Sequence, residues 1–132
     1  MIELLTVKQA SAPSVRPEAV QHISPYINPG HFLCPPQSWV EALISEKYSW
    51  QFFRLRYKNL LRKRFREEPE RFFKLLEASE GEQVMYLASH TLAPPSHVEV
   101  ARDFLEHLRQ QPPYGAWQQM RQRRLRRAKR AA

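Results

Sequence analysis

Glycine, cysteine and long apolar runs are scarce in this chain of 132 residues, and each shortage excludes a class of protein. With only three glycines, the sequence has no room for the Gly-rich loops that cradle phosphates in nucleotide-binding folds. The lone cysteine, Cys34, rules out an internal disulfide framework and any cysteine-based structural zinc site, so a reduced, cytoplasmic setting is expected. No apolar run approaches the roughly 20 residues of a membrane span, and residues 1–7 lack the basic segment of a signal peptide. We therefore expect no membrane association.

The sequence is rich in positive charge, which is unevenly distributed. The net charge is +8, and seven of the 21 basic residues lie between residues 121 and 130. No acidic residue occurs among residues 113–132. The rest of the chain therefore has 14 basic and 13 acidic residues and is nearly neutral. This distribution predicts a single small α/β domain over residues 1–112, followed by an Arg-rich carboxyl-terminal tail over residues 113–132.

A strand, a loop and a helix between residues 82 and 108 form the centre of the predicted fold. Residues 84–88 are nearly all apolar, which is typical of a strand buried on both faces. Ser96 stands three residues before Glu99 and just ahead of an apolar-periodic segment, which predicts a capping box and a helix ending before Pro112. In an open α/β sheet, ligands usually bind at the loop beyond the carboxyl end of a strand.

The remaining elements follow from periodicity and from proline. Residues 2–7 predict the first strand, while six prolines between residues 8 and 36 exclude a long helix there. Within that segment we expect one short helix over residues 15–23, started by Pro17, and an extended piece over residues 31–34. Helices are predicted after Ser38 as N-cap, over residues 49–66, and over residues 69–78 with Gly81 ending the last of them. The fold class is α/β: a small three-layer sandwich with a short, mainly parallel sheet and several helices, plus the basic arm.

The long predicted helix has an apolar face and a basic stripe beside it. Its apolar face is Trp50, Phe53, Tyr57, Leu60 and Leu61, and the stripe of cations four residues apart is Arg54, Lys58, Arg62 and Arg66. Residues 114–132 are rich in Arg, Gln and Ala, which are good helix formers, so they could extend as a solvated helix. They show no comparable apolar stripe, so packing is not expected to hold them.

Residues 33–108 combine the pattern Trp50, Phe53 and Tyr57 with a second helix after Pro69 and with the strand, loop and His97-bearing helix. In this combination the sequence resembles an uncharacterised bacterial family, the domain of unknown function 488. The resemblance implies a compact α/β sandwich with a small, mainly parallel sheet, and it implies no established activity. One branch of that family has Cys-His-Arg where this chain has Ser96, His97 and Val98, so the resemblance implies that cysteine-dependent chemistry is absent here.

The loop after the second strand is the candidate ligand site. Helix N-termini favour anions, and the candidate anion-binding or ligand-binding residues are Ser89, His90, Thr91, Ser96 and His97. The alternative is that Ser96 only caps the helix and the histidines are surface groups. His90 and His97 are too few to suggest a metal site, and no cofactor is expected. Cys34 has no neighbouring charge that would activate it, so we name no catalytic residue.

The basic tail is the stronger functional signal. Clustered arginine without acid is typical of segments that bind a phosphate backbone. The candidate nucleic-acid-binding residues are Arg121, Arg123, Arg124, Arg126, Arg127, Lys129 and Arg130, with Arg54, Lys58, Arg62 and Arg66 as additional contacts. The alternatives are a solubilising terminus or contact with an acidic protein partner.

Three functions remain open at this stage. The first is a non-enzymatic accessory or regulatory protein that contacts nucleic acid through the basic arm, and the second is a small-ligand or phosphate-handling enzyme with its site at residues 89–97. The third is a protein–protein module whose tail binds an acidic partner. The oligomeric state is left open.

Overall fold

A three-stranded parallel sheet lies at the centre of the computed structural model, which describes residues 1–90 and 96–131. The strands are β1 (Ile2–Thr6), β2 (Val20–His22) and β3 (Met85–Ser89), in the spatial order β1-β3-β2. Leu87 in the central strand lies opposite Leu4 on one side and Gln21 on the other. The predicted α/β fold with a short, mainly parallel sheet is confirmed.

Six helices accompany the sheet in the described ranges. They are α1 (Val7–Ala10), α2 (Gln37–Ile44), α3 (Trp50–Glu67), α4 (Pro69–Glu77), α5 (His97–Arg109) and α6 (Pro112–Ala131), with one 3₁₀ turn at Pro17–Ala19. Across residues 1–90 and 96–131, none of these helices has both the length and the apolar character required to cross a membrane.

The core forms where α5 packs on the sheet and α3 packs on α5. Leu87 in β3 and Val98 and Leu105 in α5 have no exposed surface. Phe53, Tyr57 and Leu61 of α3 are also fully buried, four residues apart along one face as helical periodicity predicted. This layering fixes the position of α5, and therefore of its N-terminus, relative to the carboxyl ends of the strands.

The segment of residues 8–36 is more ordered than predicted. Pro17 starts only a single 3₁₀ turn, and the next three residues form β2, which pairs with β3. The prediction of a short helix over residues 15–23 was therefore wrong for its second half, because long-range pairing with β3 decides the conformation there. The extended piece expected over residues 31–34 was also wrong, since turns occupy it and Cys34 N–H donates to the His31 carbonyl at 3.0 Å.

One predicted helix start needs correction. Helix α2 begins at Gln37 with Pro36 as its N-cap residue and no capping side chain, so Ser38 lies inside the helix. Helix α4 ends at Glu77, within one residue of the predicted end, and Gly81 (φ 61°) turns the chain four residues later. Helix α5 ends before Pro112 as predicted, and Pro112 starts α6, because proline suits the first turn of a helix.

Candidate functional site

The carboxyl ends of β2 and β3 bring together residues that are far apart in the sequence. Ser24 follows β2, and its Oγ lies 3.1 Å from Nδ1 of His90, which follows β3. Ser89 Oγ lies 3.4 Å from the same nitrogen. The ring of Tyr26 packs edge-on against His90, with ring centroids 5.3 Å apart. Of the predicted residues, Ser89 and His90 therefore meet, while Ser24 and Tyr26 were missed.

His97 holds the end of β2 in place and does not face a ligand. It is 6% exposed, and its Nε2 lies 2.8 Å from the Ile23 carbonyl oxygen, to which it donates. Burial lowers the pKa of His97 to about 4, the hydrogen bond to Ile23 opposes that shift, and the nearby His90 adds to it. His97 is therefore neutral at pH 7 and acts as a structural donor between α5 and β2.

The N-terminus of α5 is capped from within. Ser96 Oγ accepts a hydrogen bond from the Val98 N–H at 3.4 Å, so the cap exists but its partner is not the Glu99 amide that the capping box predicted. Thr91, the remaining candidate, lies outside the described residues.

Among its described residues, this edge does not show the elements of a nucleophilic centre. Ser24 is fully buried and its Oγ also accepts the Tyr26 N–H at 3.3 Å, so its hydroxyl has a structural role. No carboxylate of residues 1–90 or 96–131 hydrogen-bonds His90, which leaves the Ser24–His90 pair without the third member of a catalytic triad. His90 is the exposed group here and is available to an anion.

Cys34 is a packing residue, as its neighbours in the sequence indicated. Its thiol is buried and donates to the Ile23 carbonyl oxygen at 3.3 Å. Burial raises the pKa of Cys34 to about 11, so the reactive thiolate is not formed at neutral pH. Within the described parts of the chain, no three residues among His, Cys, Asp and Glu converge as a metal site would require.

Helix α6 is the second candidate site, and aromatic side chains attach its first half to the body. Tyr114 is 2% exposed, and its ring lies 5.8 Å from that of Phe73 in α4. Trp117 lies 5.5 Å from the same phenylalanine ring, and Tyr114 Oη donates to the carboxylate of Glu80 at 2.9 Å. The expectation that packing would not hold the tail was therefore wrong for its first two turns.

Arg121 is the last residue of α6 that the body engages. Its guanidinium pairs with the Glu77 carboxylate and lies 5.6 Å from the Trp117 ring centroid. Both side chains of the ion pair remain partly exposed, so the pair contributes little to stability by itself. Arg121, one of the seven predicted nucleic-acid-binding residues, is thus already paired with a carboxylate of the body.

The other six cations of α6 are exposed. They are Arg123, Arg124, Arg126, Arg127, Lys129 and Arg130, and no acidic residue occurs in the helix. None of the six forms an ion pair with the described residues. Every residue from Gln119 to Ala131 is exposed, so the second half of α6 presents a cationic helix to solvent.

The basic stripe of α3 is largely exposed. Arg54, Arg62 and Arg66 are exposed and Lys58 is half-buried, and the stripe's one hydrogen bond within the described ranges joins Arg62 to Asn59 in the same helix. The ring contacts and ion pairs of α6 are with α4 and Glu80. That the stripe adds contacts to those of the tail stays a prediction.

Comparisons of the chain with family models, with curated proteins and with solved structures find no match. Membership of the domain of unknown function 488 family therefore stays a prediction from the resemblance of residues 33–108.

Proposed function

We propose that this protein is a non-enzymatic accessory protein that contacts nucleic acid through the exposed half of α6. The observation that carries the proposal is the exposure of six cations on one helix without any acidic residue. A phosphate backbone is the ligand whose charge density such a helix matches best, because each neutralised phosphate releases condensed counterions. A cytoplasmic location belongs to the same proposal, since the lone buried Cys34 fits a reducing compartment.

The expected binding is strong at low salt and largely independent of sequence. Six phosphate contacts would give a slope of about −5 for the logarithm of the binding constant against the logarithm of salt concentration, at about 0.9 per contact. Arg121 is left out of this count because Glu77 engages it.

The test is a salt titration of binding to labelled random-sequence DNA, followed by fluorescence anisotropy. One variant replaces the cations at positions 123, 126, 127 and 130 by glutamine, which keeps good helix formers in α6 and removes four charges. The matched control removes the same charge from α3, through glutamine at positions 54, 58, 62 and 66. We expect the α6 variant to lose most of its affinity for DNA and most of the salt dependence of binding. We expect the α3 control to lose less of both.

Two results would contradict the proposal. The first is an intact protein that shows no binding at low salt, and the second is an α6 variant that binds as tightly as the wild type. The alternative is an acidic protein partner. It would be favoured if an acidic protein stayed bound to this protein in the presence of excess random-sequence nucleic acid.

A second candidate function is a small-ligand or phosphate-handling site at the carboxyl edge of the sheet. Its support is the exposed His90, close enough to His97 to lower the pKa of that residue, beside the N-terminus of α5. An anion bound there would raise the melting temperature in sulfate or phosphate relative to chloride at the same ionic strength. A His90→Ala variant that shows the same shift would contradict this assignment.

A further inference from the structure

The cations of α6 surround the helix instead of forming one stripe. At about 100° per residue, Tyr114, Trp117 and Arg121 share the side of the helix that faces the body. The six exposed cations then fall into three pairs. Arg123 and Arg130 point away from the docked side, Arg124 and Arg127 lie on one flank, and Arg126 and Lys129 lie on the other.

The second half of α6 is accessible from all of these directions. Leu125 lies on the same side of the helix as Tyr114, yet it is 54% exposed, whereas Tyr114 is 2% exposed. Among the described residues, no ion pair attaches α6 to the body beyond Arg121, although Gln122, Arg124 and Leu125 still line shallow clefts with Glu70, Glu77 and Glu80. The ten residues 122–131 form an exposed helical rod about 15 Å long, at about 1.5 Å per residue.

A rod with cations on both flanks matches a groove with phosphates on both walls. An α-helix with its side chains is about 10–12 Å across, and the major groove of B-form DNA is about 12 Å wide and about 8.5 Å deep. A single strand or a flat acidic surface would contact one side of the helix and leave at least one flank in solvent. The major groove of A-form RNA is deep and narrow, and does not admit a helix in this way.

We infer that the free half of α6 inserts into the major groove of B-form duplex DNA. Arg124 and Arg127 contact the phosphates of one wall, and Arg126 and Lys129 contact those of the opposite wall. This inference rests on the proposed function, and it adds which form of nucleic acid is bound and in what geometry. The aromatic contacts of Tyr114 and Trp117 with Phe73 hold the base of the helix, so the rod is presented in a fixed direction.

The test compares two flank variants of the full chain that are matched in charge. One is Arg124→Gln with Arg127→Gln, and the other is Arg126→Gln with Lys129→Gln. Circular dichroism checks that α6 remains helical in both. Each is titrated with salt against duplex DNA, the corresponding single strand and duplex RNA, all of one length.

We expect the wild type to bind duplex DNA most tightly, and each flank variant to lower the magnitude of the duplex-DNA salt slope by about 2, at about 0.9 per lost contact. We also expect the wild type to protect guanine N7, which lies in the major groove, from methylation by dimethyl sulfate.

The outcomes separate failure of this inference from failure of the proposed function. Equal affinity for single strands or duplex RNA, a slope change in only one flank variant, or unprotected guanine N7 would overturn groove insertion while nucleic-acid binding stands. The absence of binding to all three nucleic acids at low salt would overturn both.

Discussion

Buried histidine should make this protein lose stability in mild acid. His97 is 6% exposed, donates to the Ile23 carbonyl oxygen, and has its pKa lowered from 6.5 to about 4 by burial. Below pH 6.5 the unfolded chain binds a proton at this position that the folded protein excludes. Stability is therefore intact above about pH 6.5 and falls until the pH reaches the folded pKa of about 4.

The magnitude follows from the size of the shift. At about 1.36 kcal/mol per pKa unit, the full shift corresponds to about 3 kcal/mol, most of which is lost by pH 4.5. That loss is a large fraction of the roughly 5–15 kcal/mol that stabilises a typical domain. His31, whose pKa is also lowered to about 4 by burial and by Arg71 and Arg64, is more exposed, so its share is smaller.

The assay is urea unfolding followed by tryptophan fluorescence at pH 7.0 and pH 4.5, for the wild type and His97→Gln. Glutamine retains an N–H donor for the Ile23 carbonyl but binds no proton in this range. We expect the variant to be less stable at pH 7 and to lose about 2 kcal/mol less than the wild type on acidification. Equal acid losses in the two proteins would refute the reasoning, as would an NMR titration that gives His97 a pKa near 6.5.

Three further predictions concern packing, capping and docking. Phe53→Ala should cost about 3–5 kcal/mol in chemical denaturation, because the ring is fully buried, and a loss below 1 kcal/mol would contradict that packing. Ser96→Ala should cost only about 0.5–1 kcal/mol in the same assay, since the bond to Val98 N–H is long at 3.4 Å, and a larger loss would mean that Ser96 has a further partner. Trp117→Ala should reduce helical ellipticity because α6 loses its docking, whereas the exposed Met120→Ala should retain it, and equal ellipticity in both variants would contradict the docking.

The elements with strong local signals were predictable. Helix α3 has apolar residues at Phe53, Tyr57 and Leu61, and Ser49 Oγ caps it by accepting the Phe52 N–H at 3.1 Å. Pro69 begins α4 at its first position, where the missing N–H has no cost. In each case the residues that specify the element lie within or next to it, so one sequence suffices to locate it.

Strand β2 was not predictable because its signal is not local. It has three residues, follows a 3₁₀ turn, and is defined by pairing with β3 more than 60 residues later, as in the register of Val20 with Tyr86. The same separation hid the contact of Ser24 with His90, which exists only because β2 and β3 end side by side. Half of the carboxyl-edge cluster therefore depended on a strand that periodicity does not reveal.

The docking of α6 was missed for a different reason. The docking depends on Tyr114 and Trp117, which lie three residues apart within one helical turn. Two residues are too few to be recognised in a sequence as a periodic apolar face. Their partner Phe73 is also in contact with Phe65 of α3, so the tail joins an aromatic cluster between α3 and α4. The number of cations in the tail could be counted in the sequence. Their orientation relative to the body could not be predicted, because it depends on which side of α6 is docked.

Two arginines of the body, Arg64 and Arg109, have structural partners that the exposed cations of α6 lack among the described residues. Arg64 donates to the carbonyl oxygens of Phe32 and Cys34 at 2.7 Å each, and Arg109 pairs with Glu80 and Glu106. In the free half of α6, as in the basic stripe of α3, like charges stand four residues apart, here at positions 123 and 127 and at positions 126 and 130. Each such pair destabilises a helix by about 0.2–0.5 kcal/mol. Folding therefore gains nothing from this arrangement, and an external polyanion would remove the repulsion.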